Sequence, residues 1–142
     1  LTWATDRLDA LKAGDATPPP VVETLRLGLL DDWGAGWMRK TWNPALDVGN
    51  ADGSMFGGYL AALADQALAF AAMTVVDGDK AFRTINLQLN FIRVGRMEPL
   101  RIEARVVAQT RQVITVRAEF RRDDDELVAE ATAQQFVQKF PG

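Results

Sequence analysis

The sequence predicts an α+β domain in which a long central helix is wrapped by a curved antiparallel sheet of five to six strands, with an extra helix at the N-terminus. Two observations carry this. The run from Tyr59 to Val76 is apolar almost throughout, with only Asp65 and Gln66 in its middle. After it, four segments alternate apolar and polar residues, the signature of half-buried strands. A helix apolar on nearly every side must be surrounded, and a sheet with one apolar face can curl around it.

The elements follow in order. Residues 4–13 place Leu8 and Leu11 at helical spacing and end at Gly14, which predicts a short amphipathic helix. Pro18, Pro19 and Pro20 then force an extended linker. These parts form an N-terminal segment, residues 1–24, ahead of a main domain over residues 25–142. Residues 25–33 and 36–43 read as two strands joined around Gly34 and Ala35. A glycine-rich loop leads into the long helix, which Asp77, Gly78 and Asp79 end. Ile85, Leu87, Leu89 and Phe91 then share one strand face, with Thr84, Asn86, Gln88 and Asn90 on the other. Leu100, Ile102, Ala104, Val106 and Ala108 repeat the pattern, as do Ile114, Val116, Ala118 and Phe120. Leu127, Ala129, Ala131 and Ala133 form a last face of small residues that allows the helix to approach closely. The loops at 94–99, 109–112 and 122–126 are hairpin-sized.

Composition excludes several chemistries. The 142 residues form one domain by size. The formal charge of −3 provides no overall basic field for nucleic acid. With no cysteine and no histidine, disulfides, thiolate nucleophiles, Ser-His-Asp triads and Cys- or His-ligated metals are ruled out. The acidic run Asp123 to Glu126 follows Arg121 and Arg122 and reads as a charged hairpin tip; no metal is expected there. No signal peptide is visible from Leu1 onward. The helical run approaches a membrane span in length, but its central polar pair, its seven alanines and its lack of basic flanks favour a buried helix. A cytoplasmic protein without membrane or nucleic-acid partners is expected.

The stretch with chemical content runs from Asn50 to Asp65. Asn50, Ala51, Asp52, Gly53, Ser54, Met55 and Phe56 lead into Gly57 and Gly58, where the helix starts. A helix N-terminus presents unpaired N–H groups that can hold developing negative charge. A carboxylate inside an apolar helix is costly unless it is satisfied or used. Together these features suggest a site that polarises and attacks a carbonyl. Each also has a plainer use: Asp65 as a satisfied structural acid, the glycines for close packing, Asn50 as a turn residue, Thr84 as an ordinary strand residue. Trp33, Trp37 and Trp42 read as core or interface.

The element order, with Asn50, Gly53, Phe56-Gly57-Gly58, Asp65, Thr84 and the turn Phe91-Ile92-Arg93-Val94-Gly95, resembles the hotdog-fold acyl-CoA thioesterases, in particular the PaaI-like, phenylacetyl-CoA thioesterase branch. The resemblance spans about residues 25–138. It implies hydrolysis of an acyl-CoA to a carboxylic acid and free CoA, with no cofactor beyond the coenzyme A of the substrate. It implies catalytic roles for Asp65 as nucleophile or general base, for the Gly57 N–H at the carbonyl oxygen, and for Asn50 and Thr84 in placing carbonyl or water. Phe56 departs from the family's usual histidine and leaves an apolar ring in the substrate-binding stretch beside Gly58. Arg93 and Arg96 are candidates for the phosphates of coenzyme A.

Geometry adds a constraint of its own. Gly57 and Asp65 are eight residues apart on one helix, about 12 Å along its axis. One carbonyl carbon cannot meet both from a single chain, so if both act, the site is shared between two chains of a homodimer or tetramer. The alternative function is a hotdog protein that binds acyl-CoA or another apolar ligand without cleaving it. A hydratase of the same fold is weaker, since no histidine is present for an Asp/His dyad.

Overall fold

In the computed structural model, which describes residues 2–44 and 46–140, the apolar run becomes a helix lying across a single sheet. Leu1, Ala45, Pro141 and Gly142, within the expected segments 1–24 and 25–142, lie outside the described residues. The order is α1 (Trp3–Ala13), α2 (Pro20–Thr24), β1 (Asp32–Gly34), β2 (Trp37–Trp42), a 3₁₀ turn (Leu46–Val48), α3 (Gly57–Met73), β3 (Lys80–Phe91), β4 (Leu100–Gln109), β5 (Val113–Arg121) and β6 (Leu127–Lys139). Among the described residues the sheet has six antiparallel strands in the order β1-β2-β4-β5-β6-β3. No described helix is long and apolar enough to cross a membrane.

The core is a helix-on-sheet contact made of small residues. Ala64, Ala67, Ala71 and Ala72 of α3 are fully buried, as are Ala118, Ala129 and Ala133 of β5 and β6. Short side chains let the helix axis sit close to the sheet. Leu60, Leu63, Leu68, Ile102, Ile114, Val116 and Phe120 fill the remaining space. α3 touches β2 through β6 and also α1. It is not enclosed all round, however: Asp65 is exposed and Ala61, Ala62, Gln66 and Ala69 are only half-buried. α1 covers another part of α3, burying Ala4, Leu8 and Leu11 in the same core. Its ends match its sequence: Thr2 accepts from the Thr5 N–H, and Gly14 closes the helix at φ +80°.

Three boundaries differ from the sequence expectation. Pro20 does not extend the linker but opens α2, taking the first helical position, where a missing N–H costs nothing. Residues 25–30 are not a strand. Arg26 and Gly28 have φ of +52° and +71°, and their stretch satisfies its carbonyls with side chains: Tyr59 Oη donates to Arg26 O at 3.0 Å and Gln66 Nε2 to Gly28 O at 2.7 Å. α3 stops at Met73 rather than Val76, because the Thr74 hydroxyl donates to Ala71 O and accepts from the Gly36 N–H.

β3 carries the most consequential difference. Strict alternation expects Thr84 on the face opposite Ile85, Leu87, Leu89 and Phe91. The pairing with β6 shifts between Thr84 and Asn86, leaving Ile85 as an extra residue. Thr84 therefore pairs with Gln135, as Leu87, Leu89 and Phe91 pair with Ala133, Ala131 and Ala129, all on the helix-facing side of β6. Ile85 leaves that face and is 60% exposed.

Lys40 is the one buried cation in the described core, on the inner face of β2. Its ammonium donates to Leu27 O and Gln66 Oε1, both at 2.5 Å, and so ties residues 27–28 to α3. Burial lowers its pKa from 10.5 to about 8, with nearby Asp31 partly opposing the shift. Between pH 8 and 10.5 the unfolded chain holds this proton and the folded chain does not, so the stability from this group rises with pH across that window. The gain is on the order of 3 kcal/mol. Urea unfolding at pH 7.5 and pH 10 should show this rise in the wild type, and Lys40→Met should flatten it. Equal pH slopes in the two proteins would mean that Lys40 is charged in the fold with no penalty.

Candidate active site

The site grows from one exposed carboxylate on an otherwise apolar helix. Asp65 lies midway along α3, on the side turned away from the strands that bury Ala64 and Leu68. Thr84 Oγ1 of β3 stands 3.1 Å from Asp65 Oδ1 and donates to it. The bulge at Ile85 makes this possible, because without it Thr84 would point out of the sheet.

Behind Thr84 sits Gln135, fully buried on β6. Its Oε1 is 2.9 Å from Thr84 Oγ1, while its Nε2 is buried with no partner. A hydroxyl has one proton and can serve only one of these two acceptors. Turning the Gln135 amide over resolves the conflict: Nε2 then donates to Thr84, whose hydroxyl donates to Asp65. The orphan becomes a carbonyl oxygen, which tolerates being unpaired better than an N–H. The result is a continuous line of donors from the core to the carboxylate.

The second half of the arrangement is the start of α3. Phe56 is the N-cap and makes no side-chain cap hydrogen bond. The Tyr59 and Leu60 N–H groups return to Phe56 O, leaving those of Gly57 and Gly58 at the helix tip. Both glycines lie under aromatic rings. A Cβ on Gly57 would come within 3.0 Å of the Phe91 ring, and one on Gly58 within 2.6 Å of the Phe56 ring. Phe56 and Phe91 are both more than half exposed, so an open apolar rim surrounds the N–H groups.

The loop before the helix is held by its own polar residues. Asn50 Nδ2 donates to Ser54 Oγ and Met55 O, so the amide serves the loop and is not brought to Asp65. The Ser54 hydroxyl and N–H both donate to Asp52 and hold its carboxyl below the usual range. The Met55 N–H donates to Gly95 O, joining this loop to the turn after β3. In that turn Arg93 is engaged, donating to Leu127 O at 2.6 Å and pairing with Glu126 at 2.9 Å. Arg96 has no side-chain acceptor among the described residues.

Three clefts adjoin these groups. One of about 390 Å³ opens beside Gly57, Phe91 and Arg93. One of about 350 Å³ lies beside Phe56 and Gly58. One of about 320 Å³ reaches Asp65. A larger cleft of about 560 Å³ lies along residues 35–39 and 103–106 and touches none of the candidate residues, so its size does not make it the site.

The structure thus joins Asp65 to Thr84 at the middle of α3 and gathers Gly57, Gly58 and Phe56 with the Arg93 turn at its N-terminal end. Sequence reasoning missed Gln135 and the role of Phe91. Gln135 was legible in part: continuing the spacing of Ala129, Ala131 and Ala133 puts a glutamine on the buried face.

Comparison with known proteins agrees with this architecture. The thioesterase superfamily model matches residues 52–129, more than half of the chain. No curated protein sequence matches. Among solved structures, a putative thioesterase from Ralstonia eutropha, described as phenylacetic acid degradation-related, is 29% identical with a TM-score of 0.81, over 91% of this chain and 98% of that one. A Haemophilus influenzae thioesterase has the same fold at 17% identity and a TM-score of 0.82, over 95% and 92% of the two chains. A Streptococcus mutans protein bound to acetyl-CoA aligns at 22% identity with a TM-score of 0.71, over 78% and 87%. The helix wrapped by its sheet is the hotdog fold, and the chain belongs to the thioesterase superfamily.

Proposed function

We propose that this protein hydrolyses an acyl-CoA thioester to a carboxylic acid and free CoA, with Asp65 as the base or nucleophile. The observation that carries the reading is the Thr84 hydroxyl aimed at Asp65 from a strand that must bulge to deliver it. A carboxylate oriented by a donor, and otherwise open to solvent, is arranged for use. The thioester carbonyl oxygen would rest on the Gly57 N–H, which favours the negative charge that forms there. Water adds to the carbonyl carbon, the C–S bond breaks, and the proton taken by Asp65 passes to the departing thiolate. If Asp65 attacks directly, water then cleaves the resulting anhydride.

Gly57 and Asp65 lie about 12 Å apart along α3, so we place each site between two chains. β3 supports this. It is a twelve-residue edge strand with no neighbour on its outer side among the described residues, and Ile85, Leu87 and Phe91 are exposed along it, with Ile92 exposed just beyond. Arg96, whose guanidinium has no acceptor among the described residues, suits the CoA phosphates better than Arg93, which is held by Glu126 and Leu127. The acetyl-CoA held by the Streptococcus mutans neighbour supports a CoA ligand, and the phenylacetic acid degradation-related neighbour supports an aryl acyl group. Phe56 favours a second reading, acyl-CoA binding without turnover, because it can donate no proton to the substrate.

Release of CoA, followed with a thiol-reactive dye, separates the two. Asp65→Asn should lower kcat by ~10²–10⁴ while folding persists; unchanged turnover in this variant would remove Asp65 from the mechanism, and no turnover by the wild type, with measurable acyl-CoA binding, would favour the binder. Thr84→Ser should stay near wild type and Thr84→Ala should lose kcat. Gln135→Leu should lose kcat with little change in KM, and the double variant Thr84→Ala/Gln135→Leu should be no worse than Thr84→Ala alone, since both act along one line. Additive losses would show that Gln135 merely supports the core.

Shared sites have a sharper test. Gly57→Pro removes the N–H at the first helical position, which suits proline provided that the exposed Phe91 ring moves aside by a few tenths of an ångström for the added Cβ. Mixing inactive Gly57→Pro and Asp65→Asn chains, unfolded and refolded together, should restore about a quarter of wild-type activity, because half of the dimers then hold one intact site of two. No recovery would place both groups' functions within one chain.

A further inference from the structure

Resting on the hydrolase reading of Asp65, we infer that the N-terminal segment forms one wall of the acyl-group pocket and sets which acyl-CoAs are accepted: compact apolar acyl groups, arylalkanoyl or medium-chain, in preference to acetyl and to long chains. The Asp65 face of α3 does not face solvent along its whole length. α1 and α2 stand over it and enclose a cleft of about 320 Å³ that has Asp65 on its boundary. This lies at the small end of the ~300–1,000 Å³ typical of ligand sites. Leu11, Val22 and Leu25 line it from the N-terminal side, and Ala69, Phe70 and Met73 from α3.

The walls specify what enters. Of the other polar side chains on the boundary, Gln66 is engaged within the fold, donating to Gly28 O and accepting from Lys40, while Arg7 of α1 gives one guanidinium N–H to Thr17 O and keeps its other donors. Along α3 beyond Asp65 the lining is Ala69, Phe70 and Met73, so there the cleft offers an occupant apolar surface next to one carboxylate. That is the polarity of an acyl group whose carbonyl carbon sits at Asp65 and whose tail points away from it. The cleft runs along α3 from Ala62 to Met73, and its part beyond Asp65 measures about 12 Å along the axis, which suits a ring or a medium chain and leaves a long chain unhoused. Residues 27–28 beside α2 are fastened to α3 through Lys40 and Gln66, so this wall is anchored to the same helix that carries Asp65.

The test narrows the cleft from each wall. Ala69 lies one helical turn beyond Asp65 and lines the cleft, so Ala69→Phe fills the space beside the carboxylate. Val22→Phe fills it from α2, outside the helix-on-sheet core, and carries the test if the first variant fails to fold. The full-length protein is assayed with acetyl-, phenylacetyl-, octanoyl- and palmitoyl-CoA. Wild type should give its highest kcat/KM with phenylacetyl- or octanoyl-CoA. Either variant should lower those values by about tenfold or more, the scale of a misfit in an apolar pocket, and change acetyl-CoA by less than about threefold. An equal fall for all four substrates, no change for any, or a wild-type preference for acetyl or palmitoyl would overturn the proposal. Should wild type cleave none of them, calorimetric binding of phenylacetyl-CoA against CoA decides. A phenylacetyl-dependent gain in affinity that Ala69→Phe abolishes keeps the pocket and discards the hydrolase; no such gain discards the pocket.

Discussion

The close approach of α3 to the sheet is the constraint on which the other features depend. Alanine on the helix meets alanine on β5 and β6, and the fully buried Ala64, Ala67, Ala118, Ala129 and Ala133 leave no room for longer side chains. A helix held that near the sheet has few directions in which a polar group can point. Asp65 and Gln66 emerge together where the enclosing strands end, between the sheet edge and the N-terminal segment. At the edge, Thr84 needs only a hydroxyl's reach to meet the carboxylate. On the other side, Gln66 reaches back to Gly28 and Lys40 and fastens the N-terminal wall. With a wider helix-to-sheet spacing, a side chain as short as threonine would not span the gap.

Much of this was legible in the residues. The apolar run and the alternating segments specify the helix, four strands and the small-residue face, because burial imposes periods of 3.6 and 2 on a chain. Leu8 and Leu11 with Gly14 specify α1. The first expected strand does not form: Leu25, Leu27, Leu29 and Leu30 look like a buried strand, yet the carbonyls of Arg26, Leu27 and Gly28 accept from the side chains of Tyr59, Lys40 and Gln66 rather than from a neighbouring strand. Side-chain partners tens of residues away leave no local trace in the sequence.

The site was legible by type and not by orientation. A carboxylate in an alanine-rich helix and a double glycine at its start stand out as residues. Whether Thr84 faces that carboxylate is a matter of register, and the sequence alternates so regularly through Ile85 that it hides the slip. Gln135 was hidden differently: it extends a visible face, but only the fold shows that the face stays buried that far and that a donor is wanted there. The two arginines illustrate the converse. Both looked suited to phosphate, and the hairpin after β5 supplies Glu126 to one of them.

The order of strands has a consequence for how the chain is made. β3 occupies residues 80–91, and among the described residues its sole neighbour in the sheet is β6, residues 127–139, which follows it by more than thirty residues. β4 and β5 can pair with each other and with β2 while the chain is still emerging from the ribosome, but β3 cannot. Until β6 is synthesised, both edges of β3 lack partners and its row of Leu87, Leu89 and Phe91 is uncovered, a state prone to pairing with the wrong strand. The sheet then closes by insertion, with β6 sliding between β5 and β3 rather than adding to an outer edge. Thr84 meets Gln135 in that same step, so the orientation of the carboxylate waits for β6.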